Sequence, residues 1–247
     1  LNGEYRYLTR QSSGFAGIEY LPSDSRADTD RERYIYQHQG RAGNFGLNIN
    51  YNKVSDKDYF EDLDSTLGRT SRTLLERRLG VNYQTRGGVF TSQLLLQNYQ
   101  TLDRDLLVTD RPYERLPQLR FDFHTPAFYA FRPFLETEFV RFEHDNNIDG
   151  LRMDIRPGVN MGVDRGYWFA DSNLSWRYTQ YDLDGTAPGV ENEPDRSLPT
   201  FDLKSGLRFE RMDRTGLLQT LEPTLYYLYT PFERQNDIPI FDAGLPD

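Results

Sequence analysis

The side chains able to do chemistry in this sequence recur at every second position. Glu4 and Arg6, Glu76 and Arg78, Arg120 and Asp122, and the trio Arg152, Asp154 and Arg156 keep that spacing, which aims side chains at one face of a β-strand. Asn48 and Asn50, then Asp202, Lys204, Arg208, Glu210 and Glu222, supply further polar positions of the same kind. Rows of mixed charge can pair across neighbouring strands or stay wet. They can also grip an anion, because Lys53, Lys57 and Lys204 are the only lysines and every other basic residue is arginine. A guanidinium holds carboxylate or phosphate through two parallel hydrogen bonds.

Other reactive groups form no catalytic pattern. His38, His124 and His144 are far apart and beside no nucleophile signature, whereas a hydrolase embedded in a barrel wall needs a serine paired with a histidine. The stretch 55–65 gathers Asp56, Asp58, Glu61, Asp62 and Asp64, oxygens that suit a hard cation, but it lacks the spacing and the glycine of an EF-hand. A solvated loop ordered by Tyr59 and Phe60 is the expectation there. Arg86-Gly87-Gly88 and Asp164-Arg165-Gly166 read as tight turns, since glycine accepts positive φ. No catalytic residue, cofactor or metal is expected.

The elements that must position these residues follow from composition. With 14% aromatic and 27% charged side chains and a mean hydropathy of -0.75, the 247-residue chain has no run of about 20 apolar residues to cross a membrane as a helix. Its 17 Tyr and 16 Phe put large apolar surfaces on single side chains instead, which suits a wall greasy on one face only. A net charge of -9 argues against nucleic acid as a partner, because a grip on phosphates takes clustered cations. The absence of cysteine excludes disulfides and thiolate metal sites in this segment. Leu1 opens inside a strand-like pattern with no secretory leader, and 241–247 read as loop. The chain is therefore expected to be an excerpt, with partners for its first and last strands elsewhere.

Alternation runs down nearly the whole chain. Phe45, Leu47, Ile49 and Tyr51 face one way with asparagines between them, and Leu151, Met153, Ile155, Val159, Met161 and Val163 share a face over 13 residues. Globular strands cluster near 5–6 residues, whereas a tilted membrane strand needs roughly 9–11. The pattern predicts about twelve strands, near 1–8, 15–21, 34–40, 44–55, 72–84, 89–102, 116–125, 131–143, 150–164, 167–182, 199–211 and 216–230. Leu94, Leu95 and Leu96 leave the facing of 89–102 open. Short turns alternate with longer polar loops at 22–33, 56–71, 103–115, 144–149, 183–198 and 231–247, the asymmetry of bacterial outer-membrane barrels. The loop 103–115 could fold inward or shape the external mouth. A soluble β-sandwich or a lumen-facing repeat protein is the alternative, but sandwiches do not impose a strict short-long alternation. The expected fold is all-β: an antiparallel transmembrane β-barrel, with residues 1–247 forming one partial barrel domain. The candidate lumen-facing residues are then Glu4, Arg6, Asn48, Asn50, Glu76, Arg78, Arg120, Asp122, Arg152, Asp154, Arg156, Lys204, Arg208 and Glu222.

Five segments carry a resemblance: Leu1-Asn-Gly-Glu-Tyr-Arg-Tyr-Leu8, Val54-Ser-Asp-Lys-Asp-Tyr-Phe-Glu-Asp-Leu63, Tyr99-Gln-Thr-Leu102, Arg111-Pro-Tyr-Glu-Arg-Leu-Pro-Gln-Leu119 and Asp237-Ile-Pro-Ile-Phe-Asp242. In this order they resemble the barrel domain of the outer-membrane lipopolysaccharide-assembly family, LptD. The resemblance implies a barrel of about two dozen strands, of which this chain is roughly half. It implies an LptE-like lipoprotein plugging the lumen, and a preceding periplasmic domain that meets the periplasmic lipopolysaccharide bridge protein. Lipopolysaccharide would leave sideways into the outer leaflet of a Gram-negative outer membrane, among its lipids. The family's disulfides tie the periplasmic part to the end of the barrel, so a chain without cysteine fits its centre. A diffusion porin and, further off, a barrel-embedded lipid hydrolase are the alternative functions.

Overall fold

An alternating strand leaves its N–H and C=O groups unpaired along both edges, and they must be satisfied laterally. In the computed structural model, which describes residues 1–63, 73–186 and 189–242, each long strand does so with its neighbours in sequence. The strands are β1 (Asn2–Leu8), β2 (Ser12–Asp24), β3 (Thr29–Ala42), β4 (Phe45–Val54), β5 (Leu74–Gln84), β6 (Phe90–Thr101), β7 (Glu114–His124), β8 (Phe131–Glu143), β9 (Asp149–Asp164), β10 (Trp168–Asp184), β11 (Asp195–Leu207), β12 (Phe209–Met212), β13 (Leu218–Leu221) and β14 (Thr224–Tyr229). β1 to β11 and then β14 form one 12-stranded antiparallel sheet in chain order, with β1 and β14 at its edges. β9 has 16 residues and β10 has 17, enough to cross a bilayer at a tilt.

Register decides which side chains share a face, because residues opposite each other in a ladder point the same way. Leu94 stands opposite Leu119, Leu119 opposite Phe139, and Phe139 opposite Met153, so one apolar row crosses four strands. The same pairing resolves β6: Leu94 belongs to the apolar face, while Leu95 stands opposite Gly80 and Gln118 on the polar one.

Several expectations are corrected. The loop predicted at 22–33 is a short turn, because β2 runs to Asp24 and β3 begins at Thr29. Ion pairs hold that projecting hairpin together, as described below. The strands predicted at 199–211 and 216–230 are interrupted. β12 and β13 peel away as a separate two-stranded sheet, and the break falls at Arg208 and at Glu222-Pro223, where proline cannot donate to a ladder. The sequence carried no evident helical signal, yet one helical turn, α1 (Tyr59–Asp62), and a 3-10 turn (Val108–Asp110) interrupt the longer loops. Asp64 of the acidic stretch, and the start of the strand expected at 72, lie outside the described residues.

Candidate functional site

The polar rows converge on one face. Asn50 lies opposite Gln37 and Arg78, Arg78 opposite Gln97, Arg120 opposite Gln93 and Glu138, and Glu138 opposite Asp154. Asp122 and Arg156 both stand opposite Glu136, while Arg152 stands opposite Val140 and Tyr181. Glu4, Arg6, Asn48, Glu76 and Lys204 share this face by the same ladders. The face is continuous across the sheet. Arg208 and Glu222 fall just past the ladders of β11 and β14: Arg208 donates to the Asp164 carboxylate, itself on this face, and to the Gly166 carbonyl at the β9–β10 turn, and Glu222 is exposed at the break before β14.

Glu138 is the centre of the densest network. It accepts hydrogen bonds from Gln118 Nε2 at 2.5 Å, Arg120 Nε at 2.7 Å and Arg152 Nη2 at 2.6 Å. Arg152 turns the rest of its fork to Asp242, at 2.8 and 2.9 Å, and its guanidinium lies 4.9 Å from the centre of the Phe142 ring. A second node is Asp154, which accepts from Arg177 at 2.8 Å and from Thr179 at 2.6 Å. A third is Glu76, bound to Gln97 at 2.6 Å and Asn50 at 3.4 Å. Arg156 pairs with Glu136 at 3.1 Å and stacks over Phe134. Phe134 in turn lies flat over Gly158, where an added Cβ would sit 2.3 Å from the ring.

Asp242 reaches this network because the segment after β14 folds inward. Read as an external loop from the sequence, it instead lies across the polar face. Gln235 accepts from Arg196 of β11 at 2.9 Å. Farther on, Phe241 stacks on Phe142 of β8 with ring centres 4.5 Å apart and meets Tyr181 and Tyr113. Asp242 ends on Arg152 of β9 and within 3.7 Å of Arg115 of β7. Gly150 makes room: a Cβ there would come within 3.0 Å of the Phe241 ring and 2.8 Å of Leu183. Burial pushes the Asp242 carboxyl up, and the bonds and charge of Arg152, with the charge of Arg115, outweigh it and hold the group below its ordinary range.

The acidic loop also has a different role from the one its composition suggests. Arg31, 1% exposed, binds Asp56 through both Nε and Nη2, at 3.0 and 2.6 Å, and binds Asp24 at 3.0 Å and Asp62 at 2.9 Å. The carboxylates that could have ligated a cation therefore neutralise an internal guanidinium. Burial raises the Asp56 carboxyl, and hydrogen bonds from Arg31 and Ser55 more than reverse it. Beside this hub Tyr59 packs with Val54, Leu75 and Leu102, and its hydroxyl donates to Glu19 at 2.8 Å. Sequence reasoning missed Arg31 because it lay in a stretch taken as loop. It missed Glu136, Glu138 and Arg177 although their alternation was there to read.

None of the histidines meets a serine in a described contact. His38 bonds Tyr7, His124 stacks on Phe134, and His144 binds the Arg111 carbonyl and the backbone N–H of Asn146 and Asn147. Among the described residues no three His, Cys, Asp or Glu side chains are grouped to hold a metal. What the face offers is a polar surface of arginine, carboxylate and amide joined by ion pairs and hydrogen bonds, opposite a face of leucine, methionine and tyrosine.

A long-stranded antiparallel sheet, apolar on one side and charged on the other, is a section of outer-membrane β-barrel wall. Comparison with known proteins then sets its family. The model for LptD, LPS transport system D, matches residues 29–247. The LPS-assembly protein LptD of Alkalilimnicola ehrlichii is 38% identical over 258 residues, covering 100% of this chain and 33% of that protein. Its counterpart in Aromatoleum aromaticum is 37% identical, covering 99% and 31%. The chain belongs to the LptD family, and it spans about a third of the length of the curated relatives it matches. Among solved structures, Pseudomonas aeruginosa OccK2 in complex with glucuronate aligns over 91% of this chain and 74% of that one, at 8% identity and a TM-score of 0.35. A BenF-like porin from Pseudomonas fluorescens aligns over 93% and 72%, at 9% identity and the same score. Similarity at that level adds nothing to the argument.

Proposed function

We propose that residues 1–247 are one part of a larger barrel that inserts lipopolysaccharide into the outer leaflet of the outer membrane, by guidance and without covalent chemistry. The observation that carries this reading is the polar face, lined by charged and amide side chains, that runs from β1 to β11. Sugars and phosphates cannot cross hydrocarbon, so an amphipathic cargo needs a wet path for its head while its acyl chains stay in lipid. Family membership supports lipopolysaccharide as that cargo. The Glu138, Asp154 and Glu76 networks supply donors and acceptors without leaving a large unbalanced charge. In this proposal the remaining wall closes the barrel, an LptE-like lipoprotein occupies the lumen beside the inward-folded segment 231–242, and a preceding periplasmic domain receives cargo from the bridge protein.

A photocrosslinking residue placed in the full-length protein at Asn50 or Asn160, on the polar face, is expected to capture lipopolysaccharide or the plug lipoprotein in living cells. The same probe at Met161, one residue along on the apolar face, serves as the control. Capture of cargo at Met161 and at neither asparagine would contradict passage along this face. A diffusion porin would conduct ions steadily with its plug in place, whereas this reading expects conductance only after the plug is removed.

A further inference from the structure

One junction in the sheet is closed without a backbone ladder. β4 runs on to Val54 and β5 begins at Leu74, yet their pairing runs only from Phe45 opposite Tyr83 to Asn50 opposite Arg78. Residues 51–54 of β4 and 74–77 of β5 are therefore unpaired towards each other, while each stretch is laddered on its other side, to β3 and to β6. Elsewhere, where both neighbouring strands continue, the breaks in pairing are bulges of one or two residues. The open edge of β4 carries N–H and C=O groups that need partners.

Side chains supply them. Gln100 of β6 stands opposite Leu75 and reaches past it: its Oε1 accepts the Val54 N–H at 3.1 Å, and its Nε2 donates to the Val54 carbonyl at 2.8 Å. One amide thus does for Val54 what a strand residue would. Arg77 Nε donates to the Asn52 carbonyl at 3.2 Å, and Arg77 Nη2 donates to Gln100 Oε1 at 3.0 Å. On the polar face Asn50 donates to Glu76 at 3.4 Å. By register Arg77 and Gln100 belong to the side of the sheet that Leu94 occupies, where a guanidinium or an amide needs polar partners. Val54 of β4 and Leu75 of β5 also pack with the buried ring of Tyr59. Arg31 holds Asp56 and Asp62 on either side of Tyr59 in sequence, which fixes the ring at this place.

A stretch held by a few side-chain bonds opens at lower free energy than the ladders around it. We propose that the half of the β4–β5 junction beyond Asn50 is a seam that opens and closes, with Gln100 and Arg77 as its latch and Tyr59 as its bolt. The seam lies beside the long connection that follows β4. Long connections of such barrels are external, so it faces the outer leaflet. Opened, it breaches the wall between the polar face and that leaflet, within this chain; closed, it leaves the sheet continuous. The inference rests on the membrane wall and needs no cargo, so it and the export reading can fail separately.

Distances between pairs of spin labels, carried on non-natural amino acids in the full-length protein in nanodiscs, test it. Labels at Lys53 of β4 and Asn98 of β6 span the seam. Labels at Leu47 and Leu94, both opposite Val81, span the same strands where the ladder is complete. The seam pair is expected to show a dominant short distance and a minor longer one, and the ladder pair a single distance. Gln100→Leu removes both partners of Val54 and is expected to raise the ratio of long to short about tenfold, the worth of one or two hydrogen bonds. Tyr59→Ala is expected to shift the seam pair in the same direction. The ladder pair is expected to keep its distance in both variants, which reports a folded barrel. The inference is overturned if the wild-type seam pair shows a single distance, if either variant leaves its distribution unchanged, or if Gln100→Leu alters the ladder pair as much as the seam pair.

Discussion

At the scale of single residues the inner face is organised by arginines shared between carboxylates. Arg152 binds Glu138 and Asp242 at once, and its side chain is 14% exposed. Removing one member of such a shielded set leaves the others uncompensated, a loss of roughly 3–5 kcal/mol. Arg152→Ala is therefore expected to lower the urea resistance of the full-length barrel by about that much. Arg26→Ala, whose side chain is 67% exposed, should stay within about 0.5 kcal/mol. Equal effects would mean that the crowded polar face gives its ion pairs no advantage over those of a loop. Arg31→Ala should act more locally, exposing the peptide bonds near α1 to protease, because Asp24, Asp56 and Asp62 would then repel one another. The Arg152 stripe was legible in sequence because alternation alone gives facing. The Arg31 hub was not, since its three carboxylates come from two loops that only the folded hairpin brings together.

At the scale of elements, β9 shows what a strand in this position tolerates. Ile155 faces outward opposite Thr137 and Tyr178, and Asn160 faces inward opposite Asn173. An arginine on the lipid side near mid-membrane costs about 2–4 kcal/mol. Ile155→Arg is thus expected to cost that much in barrel stability, while Asn160→Arg should cost little. Similar losses at both would remove the distinction between the faces. The inward segment makes a second prediction at this scale. Because Asp242 is held below its ordinary range, its pairing with Arg152 is fully present above the ordinary carboxylate pKa and is lost as pH falls through the lowered folded value. Hydrogen exchange in 231–242 should therefore rise below about pH 4, and Asp242→Asn should show that faster exchange already at neutral pH. Exchange that ignores both changes would place Asp242 away from Arg152. Strand existence and order were readable from period-two alternation. The inward turn of this segment was not, because it depends on Phe241 finding Phe142, Tyr113 and Tyr181, which are far away in sequence. The break at Arg208 was hidden because no proline or glycine stands next to it, and β12 follows β11 after that single residue although the main sheet does not continue.

At the scale of the whole molecule, function requires two solvents on the two sides of one sheet. Register places Met153, Ile155, Val159 and Met161 on one side of β9 and Arg156, Gly158, Asn160 and Gly162 on the other. The path proposed for the cargo presumes that the first set meets hydrocarbon and the second meets water. Spin labels on single cysteines placed in turn from 153 to 163 of the full-length protein in lipid bilayers would read this directly. Oxygen, which concentrates in lipid, and an aqueous nickel chelate would serve as the two relaxing agents. Oxygen accessibility is expected to peak at 153, 155, 159, 161 and 163, with nickel accessibility peaking at 156, 158, 160 and 162. The two profiles rising and falling together, or neither alternating, would contradict it.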